Sequence, residues 1–396
     1  MMSIDWKSPK KLALPLNILL FNLCRLWPFR NKRIWVFGAR EGHQYEDNSR
    51  ALFEYVLQNK DAQIRSIWLT RNAEVADMLK GRGCEAYKTR SLKGMWAALR
   101  AGASFYTNGL IDFGLFPLVG GSKVVALWHG MGFKRIYNGN YSGKSLRAKK
   151  ILDCFFSWTY RNITISTSAY ASKWLAEMFT LNKDKIFVTG QPRNDMLKEL
   201  SKAAVLKGTG IDCGKKLILY MPTYRQSALG FDAMQRIVEG LYHSESLNRV
   251  LKEMNAVFVV KPHPLTSHIQ LKNRDNFIVI DYGAVENNQE LMGVSDVLVT
   301  DYSSCFIDYA LLERPIVFYV PDEELFLKKS EKLDDTFFDL EQLSKAVDED
   351  GLAELIRHSS CEVAKRTNEL FEDKSIQGTC YSENVFNVIV KETNIF

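Results

Sequence analysis

One histidine stands directly after a predicted buried strand. The run Lys123–Trp128 is apolar after its first residue, and His129 follows it, ahead of Gly130 and Gly132. An imidazole with an ordinary pKa near 6.5 can accept a proton at neutral pH, and glycines let a substrate approach the backbone. We interpret His129 as a candidate general base, and the alternative is a histidine that only caps a turn.

A second histidine lies between two prolines. His263 belongs to Lys261-Pro262-His263-Pro264, which follows the predicted strand Val257–Val260. Because each proline fixes its own backbone angle, this loop should hold a lysine and an imidazole rigidly at the edge of a sheet. Such a pair suits a diphosphate, although a stiff connecting turn would have the same sequence.

Other predicted strand ends carry groups that suit anions. Thr300-Asp301-Tyr302-Ser303-Ser304 precedes the predicted helix Cys305–Leu312, and Asp308 lies in its first turns. Hydroxyls and free N–H groups at a helix start bind anions, but a simple capped helix would also explain the serines. Arg225 follows the strand that ends at Tyr220 and could make a bidentate phosphate contact.

The interval between Asp112 and Asp153 contains no acidic residue. Its basic residues are Lys123, Lys134, Arg135, Lys144, Arg147, Lys149 and Lys150. This excess of positive charge could guide a polyanionic acceptor toward His129. A solvated basic loop is the simpler interpretation.

These residues must be positioned by alternating strands and helices. The predicted strands are Arg33–Phe37, Ser66–Thr70, Ser104–Thr107, Lys123–Trp128, Thr164–Ser166, Ile186–Thr189, Lys216–Tyr220, Val257–Val260, Phe277–Ile280, Val297–Thr300 and Ile316–Tyr319. The predicted helices include Arg50–Gln58, Ala169–Phe179, Leu229–Met254 and Glu341–His358. The alternation predicts parallel sheets covered by helices on both faces, with ligands at the carboxyl ends of the strands.

The composition is that of a folded protein with two domains. The chain has 396 residues, 46% of them hydrophobic and 25% charged, which excludes a disordered chain and a small disulfide scaffold. A polar connection from Met196 to Lys216 divides two α/β regions. We predict a segment at 1–30, an acceptor-binding domain at 31–205 and a donor-binding domain at 206–396.

The first 35 residues account for the whole net positive charge of the chain. The first 35 residues have seven basic side chains and one acidic one, hence +6, which equals the net charge of the chain. The neutral remainder argues against nucleic acid binding. Residues 12–29 are apolar but interrupted by Pro15, Asn17 and Arg25, so we expect either a core helix or an interfacial membrane helix.

The seven cysteines are scattered and never spaced as C-x-x-C. This pattern argues for a reducing compartment and against a zinc site. No P-loop, G-x-G-x-x-G, G-x-S-x-G or D-x-D motif is present, which argues against ordinary ATPases and serine hydrolases.

Taken together, the motifs resemble one family. WHGMGFK, ILYMPTYR, KPHP and TDYSSCFIDYALLERPIVFY, in this order and spacing, are similar to the CDP-glycerol glycerophosphotransferases of teichoic acid and capsule synthesis. The first βα unit, with Gly42, Tyr45, Asn48 and Ser49, and the element at 190–195, GQPRND, fit the same pattern. The resemblance extends from about residue 30 to 390.

The resemblance implies a GT-B-like α/β fold of two Rossmann-like domains whose parallel sheets face a cleft. It implies transfer of a polyol phosphate from CDP-glycerol or a related CDP-polyol to a polyprenyl-linked glycan or polyol-phosphate acceptor, with release of CMP. Because Lys261, His263, Arg225 and the helix start at Ser303 could neutralise the phosphate charge, we expect neither cofactor nor metal. The implied catalytic residues are His129 and His263. The implied donor-binding residues are Arg225, Ser303, Ser304 and Asp308. We also expect Lys261 and Asp301 to bind the donor, and Gly130, Lys134 and Arg135 to bind the acceptor.

The expected location is peripheral, on an anionic membrane surface at the cytoplasmic face of the plasma membrane. Two alternatives remain open at this point. One is a glycosyltransferase or hexosamine epimerase that uses a UDP-sugar on the same fold. The other is a lipid-surface binding protein without catalysis, against which His129, His263 and Asp301 argue.

Overall fold

The computed structural model describes residues 9–59, 63–134, 136–137, 143–198, 200–225, 232–263, 266, 269–281, 284–285, 287–329 and 333–395. They form two compact units. The first unit comprises the described residues of Met1–His129, Tyr137–Asp195 and Lys374–Phe396. The second comprises those of Gly130–Ile136 and Met196–Asp373.

A seven-stranded parallel sheet forms the centre of the first unit. Its strands are β1 Asn31–Phe37, β2 Arg65–Thr70, β3 Ala86–Lys88, β4 Ala101–Tyr106, β5 Lys123–Ala126, β6 Ile163–Ser166 and β7 Ile186–Val188, in the order β3-β2-β1-β4-β5-β6-β7. Successive side chains of a strand point to opposite faces. Accordingly, Trp35 and Phe37 lie in one hydrophobic core, whereas Ile34 and Val36 lie in the core on the other face.

Helices cover both faces of this sheet. They are α1 Pro9–Leu12, α2 Leu14–Arg25, α3 Asp47–Gln58, α4 Ala73–Gly81, α5 Leu92–Arg100, α6 Gly143–Phe155 and α7 Ala169–Phe179. Three of these helices begin at polar caps, because the side chains of Asn72, Ser91 and Ser168 accept backbone N–H bonds from the first turn. Short 3₁₀ turns at Arg40–Gly42 and Leu110–Phe113 follow β1 and β4.

Helix α2 has two apolar faces in different surroundings. Phe21 and Cys24 are buried in the first unit, and the Phe21 ring contacts the rings of Phe156 and Tyr160. On the opposite face Leu19 and Leu23 are exposed. The helix is therefore docked on the protein by one side only. Among the described residues, the structure contains no helix with the length and apolar character that a membrane span requires.

A six-stranded parallel sheet forms the second unit. Its strands are β8 Lys216–Met221, β9 Ala256–Val260, β10 Phe277–Val279, β11 Val297–Thr300, β12 Ile316–Tyr319 and β13 Lys345–Ala346, in the order β10-β9-β8-β11-β12-β13. The predicted α/β class with a parallel sheet in each half is confirmed. In both sheets the chain order reverses beside a central strand, between β1 and β4 and between β8 and β11. Ligands of such sheets bind at the carboxyl ends next to this reversal.

Nine helices among the described residues surround the second sheet. They are α8 Lys202–Val205, α9 Ala233–His243, α10 Glu245–Glu253, α11 Asn288–Gly293, α12 Cys305–Ala310, α13 Glu323–Lys329, α14 Asp335–Glu341, α15 Glu349–Arg357 and α16 Glu362–Phe371.

Two helices that the sequence predicts as continuous are interrupted in the structure. The helix predicted at Leu229–Met254 starts partly outside the described residues and breaks at Ser244, whose hydroxyl caps α10 by accepting the N–H of Leu247. The helix predicted at Glu341–His358 is interrupted by β13, and Asp348 then caps α15. In both cases a local polar side chain offers the backbone a new helix start.

The chain returns to the first unit after α16. Helix α17, Tyr381–Thr393, packs against α3, and its Phe386 ring lies 5.6 Å from the Trp35 ring. Asp195 accepts the N–H groups of Tyr381 and Ser382, both at 2.8 Å. Gly190 has a φ of +78°, and a side chain there would collide with the Tyr381 ring. Gly190 and Asp195 therefore serve to seat α17.

Candidate active site

His129 follows β5 at the carboxyl edge of the first sheet. Its Nδ1 lies 3.0 Å from the carbonyl oxygen of Thr107, which follows the neighbouring strand β4. A carbonyl oxygen can only accept, so the Nδ1 must carry the proton in this bond. The other ring nitrogen, Nε2, is then the acceptor in the neutral ring. This is the arrangement that proton abstraction requires.

The backbone around His129 is held in unusual conformations. Trp128 has a φ of +55°, and Arg40, Glu41 and Asp47 have φ values of +47°, +56° and +67°. Non-glycine residues in this region carry strain, and they cluster where the surrounding structure enforces a functional geometry. Here the strained residues follow β1 and β5 at one edge of the sheet.

Asn48 connects the histidine loop to the first turn of α3. It is fully buried, and its Nδ2 donates to the carbonyl oxygens of Leu127 at 3.1 Å and of Trp128 at 2.9 Å. Its Oδ1 accepts the backbone N–H of Arg193 at 3.1 Å. One side chain thus fixes two loops that meet at His129.

The Arg193 guanidinium also holds the histidine loop in place. Its Nη1 donates to the backbone carbonyl of His129 and to a carboxylate oxygen of Asp47, both at 2.8 Å. Arg40 pairs with the other oxygen of Asp47 at 2.9 Å. Burial would raise the pKa of Asp47, but the two guanidinium groups outweigh it and hold the pKa below its ordinary value.

The surroundings of His129 keep its ring neutral. Desolvation lowers its pKa to about 4, and the positive charge of Arg40 adds to this effect. The carboxylate of Asp47 and the hydrogen bond to Thr107 oppose it without reversing it. A neutral imidazole is the form that accepts a proton, so the ring is in its basic state throughout the physiological range.

Asp112 joins the ends of β1 and β4. Its carboxylate accepts the N–H groups of Glu41 at 2.7 Å, Thr107 at 2.8 Å and Asn108 at 3.0 Å. Burial raises its pKa to about 6, although these N–H groups act in the opposite direction. It therefore supports the Thr107 carbonyl that orients His129.

In the second unit, Arg225 and Asp301 form a buried network. Arg225 donates to both carboxylate oxygens of Asp322, at 2.7 and 3.0 Å, and to Asp301 at 2.7 Å. Asp301 also accepts the N–H of Thr223 at 2.8 Å. Burial would lower the pKa of Arg225, but the two carboxylates raise it and the guanidinium stays charged. The network ties the carboxyl ends of β8, β11 and β12 together.

The remaining predicted donor-site residues lie around the same edge of the second sheet. Lys261 is buried, and its backbone N–H donates to the carbonyl of Tyr220. His263 is exposed, with its ring 5.7 Å from the ring of Tyr224. Lys261 and His263 therefore follow β9 as the sequence predicts, beside the end of β8.

The serines stand at the start of α12. Ser304 is the cap residue by position but its side chain makes no capping bond, and the Ser303 hydroxyl accepts the N–H of Cys305 at 3.5 Å. Asp308 is buried, and Gln289 of α11 donates to it at 3.4 Å.

The predicted acceptor residues belong to the second unit by their contacts. Lys134 forms a backbone bridge with Leu333, and the adjacent Phe133 stacks on Phe337 with ring centroids 4.7 Å apart. Gly130 is buried. Arg135 lies outside the described residues.

Sequence reasoning missed most of the groups that support these side chains. Thr107 directly follows β4 and Asp322 lies shortly after β12, so the strand-end signal could have identified these two. Asp47 begins α3 and Asp112 lies in the 3₁₀ turn after β4, where that signal does not reach. Arg193 was visible only as part of the GQPRND element, and an interdomain turn explained it equally well. Across the described part of the chain, no three His, Cys, Asp or Glu residues cluster as metal ligands do.

Comparisons with known proteins agree on one family. The family model for CDP-Glycerol:Poly(glycerophosphate) glycerophosphotransferase matches residues 19–378. The chain is 29% identical to a teichoic acid poly(glycerol phosphate) polymerase of Bacillus spizizenii over 328 residues, which is 80% of this chain and 81% of that protein.

A longer relative and a solved structure extend the comparison. A polymerase of the same name from Bacillus subtilis strain 168 is 28% identical over 82% of this chain, but the match spans only 43% of that protein. The structure of the wall teichoic acid polymerase TagF superposes with a TM-score of 0.73 at 21% identity, covering 99% of this chain and 95% of that one. The fold is therefore shared. The chain belongs to the CDP-glycerol:poly(glycerophosphate) glycerophosphotransferase family.

Proposed function

We propose that this enzyme transfers glycerol phosphate, or a related polyol phosphate, from a CDP-polyol to a hydroxyl group of a lipid-linked glycan or teichoic-acid-type acceptor. CMP is the second product. The family supports the polyol-phosphate chemistry, and the geometry around His129 supports our assignment of the base. The single observation that carries it is the hydrogen bond from His129 Nδ1 to the Thr107 carbonyl, which leaves Nε2 as a proton acceptor.

In the proposed reaction His129 Nε2 takes the proton of the acceptor hydroxyl as its oxygen attacks the phosphorus that carries the polyol. A new P–O bond forms to the acceptor. The P–O bond to the cytidine monophosphate breaks, and its electron pair leaves on the CMP phosphate. Phosphoryl transfer of this kind depends mainly on positioning and on neutralising the charge of the phosphates.

We assign donor binding to the second unit. Lys261, His263, Ser303 and Ser304 lie at the carboxyl edge of its sheet, beside the reversal of strand order where α/β sheets bind ligands. Arg225 and Asp301 are engaged with each other and with Asp322, and we assign them to holding the donor loops in place. We assign Asp308, which is buried in α12, to the same supporting role.

The proposed charge neutralisation uses side chains of the protein and no metal. It follows that transfer should continue in the presence of EDTA.

We also propose that the enzyme associates with a membrane surface without crossing it. The exposed face of α2 carries Leu16, Leu19 and Leu23, and exposed Phe155 of α6 lies close, because Asn22 donates to its carbonyl oxygen. Trp27 contacts exposed Trp96 of α5 with ring centroids 6.1 Å apart. Exposed apolar side chains gathered in this way mark a surface for association.

Replacement of His129 tests the proposed function. With CDP-glycerol and a lipid-linked disaccharide acceptor, His129→Ala should lower CMP release by about 10²–10⁴-fold, the usual contribution of general base catalysis. CDP-glycerol affinity, measured by calorimetry, should change less than threefold. His358→Ala, which alters an exposed histidine of the second unit, is the matched control and should retain full activity.

Turnover of His129→Ala within a few-fold of the unchanged enzyme would remove this residue as the base. Release of UDP from a UDP-sugar, without release of CMP from any CDP-polyol, would show that the donor is a UDP-sugar and not a CDP-polyol. Both results come from one chromatographic assay of the nucleotide product.

A further inference from the structure

A cavity in the first unit lies outside the site described above. It has a volume of about 530 Å³ and is lined by His43, Arg71, Lys88, Thr89, Arg90 and Ser91. That volume lies within the range of small-ligand pockets. Lys88 is the last residue of β3, and the other five lining residues follow β1, β2 or β3, so the cavity opens at the same sheet edge as His129.

The lining is strongly basic. Arg71, Lys88 and Arg90 are exposed, and none of the described residues forms an ion pair with any of them. No described lining residue is acidic. Three unneutralised cations in one concave surface concentrate positive potential and attract anions.

Neutral groups of the cavity also suit an anion. Ser91 caps α5 by accepting the N–H of Gly94, so this helix begins at the cavity wall. The other N–H groups of its first turn have no partner within the helix and can bind an anion. Thr89 adds a hydroxyl. Arginine can bind phosphate in a bidentate manner, whereas lysine binds it as a point charge.

The order of the strands gives the distance to His129. Arg71 follows β2 and Lys88 ends β3, whereas His129 follows β5, and the sheet order is β3-β2-β1-β4-β5. Neighbouring strands lie about 4.8 Å apart, so three to four spacings place the cavity about 14–19 Å from the catalytic histidine.

We infer that this cavity binds phosphate groups of the acceptor chain, at a distance from the hydroxyl that reacts. The inference rests on the proposed function, because it assumes an anionic acceptor at His129. It adds a second point of attachment that recognises phosphodiester anions rather than the reacting end.

The length of the acceptor sets which phosphates reach the cavity. A glycerol phosphate repeat has six backbone bonds, as many as two amino-acid residues, and spans at most about 7 Å when extended. A chain whose terminal hydroxyl lies at His129 therefore brings its second and third phosphates to the cavity. Acceptors with a single phosphate are too short to use it.

Acceptors of defined length test this inference. Synthetic oligomers with one to four glycerol phosphate units, without lipid, are assayed at saturating CDP-glycerol. The unchanged enzyme should show a KM that falls about tenfold or more between one and three units, because charge-assisted contacts to phosphate are gained. The variant Lys88→Gln/Arg90→Gln should lose this fall, with kcat retained.

A matched variant controls for the loss of two positive charges. Lys173 and Lys183 are exposed in the same unit, away from the cavity lining. Lys173→Gln/Lys183→Gln should keep the length dependence of the unchanged enzyme. An equal loss in both variants would show a general charge effect and would overturn the inference.

Direct binding separates this inference from the proposed function. Calorimetric titration of the four-unit oligomer into the enzyme without CDP-glycerol should give a Kd that the Lys88→Gln/Arg90→Gln variant weakens about tenfold. If transfer occurs but KM is independent of length, the cavity is not an acceptor site and the proposed function stands.

If no acceptor yields CMP, the proposed function fails by itself. Oligomer binding that survives in the Lys88→Gln/Arg90→Gln variant, together with loss of binding to phosphatidylglycerol vesicles, would assign the cavity to lipid headgroups instead.

Discussion

His129 has only one ring nitrogen with which to react. Its Nδ1 proton is bound to a neutral backbone carbonyl rather than to a carboxylate, and two guanidinium groups lie nearby. A carboxylate partner would stabilise the imidazolium form and raise its pKa, whereas these surroundings do the reverse. The residue therefore stays unprotonated and ready to accept, at the cost of weaker intrinsic basicity.

The low pKa of His129 predicts an unusual pH profile. An ordinary histidine base would lose activity below pH 6.5, but a pKa of about 4 keeps the ring neutral well below that value. We expect kcat/KM for the acceptor to stay constant from pH 8 to about pH 5 and to fall only as the pH approaches 4. Initial rates of CMP release across this range measure it.

Arg40→Gln provides the matched change. Arg40 lowers the pKa of His129, so its removal should move the acid limb of the profile toward higher pH. An acid limb near pH 6.5 in the unchanged enzyme, or one that Arg40→Gln leaves in place, would contradict the assignment of this limb to His129.

At the residue scale the sequence could identify His129 but not its partners. A histidine before glycines at a strand end is visible in a short window. Thr107 is 22 residues away, and Arg193 and Asn48 are 64 and 81 residues away. Their meeting depends on which strands are neighbours, and this order is a property of the whole sheet.

At the scale of elements, buried parallel strands were the most predictable part of the fold. Their residues face hydrophobic cores on both sides, so the strands appear as short continuous apolar runs. All eleven predicted strands exist, whereas β3 and β13 were missed. These two have only three and two residues and lie at or near sheet edges, where apolar content is low.

Asn48 is the element-scale contact with the clearest consequence. It joins the first turn of α3 to the loop after β5, and its loss would leave two buried carbonyl oxygens without this donor. We expect Asn48→Ala to lower the free energy of unfolding by about 1–3 kcal/mol and to reduce kcat more than it changes KM for CDP-glycerol. Urea denaturation and steady-state kinetics measure these two effects.

Gln58→Ala controls for a change in the same helix, because Gln58 is exposed at the other end of α3. It should leave both quantities unchanged. If Asn48→Ala keeps full kcat, the loop after β5 does not need this contact to position His129.

At the scale of the whole molecule, sequence hydropathy left the role of the N-terminal helix open. Both faces of α2 are apolar, so the pattern does not show which of them is covered. The structure shows that both interpretations hold in part, since one face packs on the first unit and the other is exposed. Two of the N-terminal basic residues, Arg25 and Arg30, donate to backbone carbonyls of the protein.

This division predicts how the enzyme binds vesicles. Leu19→Gln/Leu23→Gln should reduce flotation with phosphatidylcholine vesicles at least fivefold, because each exposed leucine buried in the interface contributes on the order of 1 kcal/mol or more. Activity on a soluble acceptor should be unaffected. Since Arg25 and Arg30 are engaged, added phosphatidylglycerol should strengthen binding only modestly.

Leu343→Gln replaces an exposed leucine of the second unit and should float like the unchanged enzyme. Equal flotation of the Leu19→Gln/Leu23→Gln variant and this control would exclude the exposed face of α2 as the membrane contact.

The return of α17 to the first unit has a consequence for synthesis on the ribosome. The Trp35 side of the first core is covered by Phe386, which is translated only after the entire second unit. At about 5–20 residues per second, roughly 200 intervening residues impose a delay of about 10–40 s. During that time the Trp35 side of the nascent first unit lacks the cover that Phe386 later provides, so a cellular holdase has a defined apolar surface to protect.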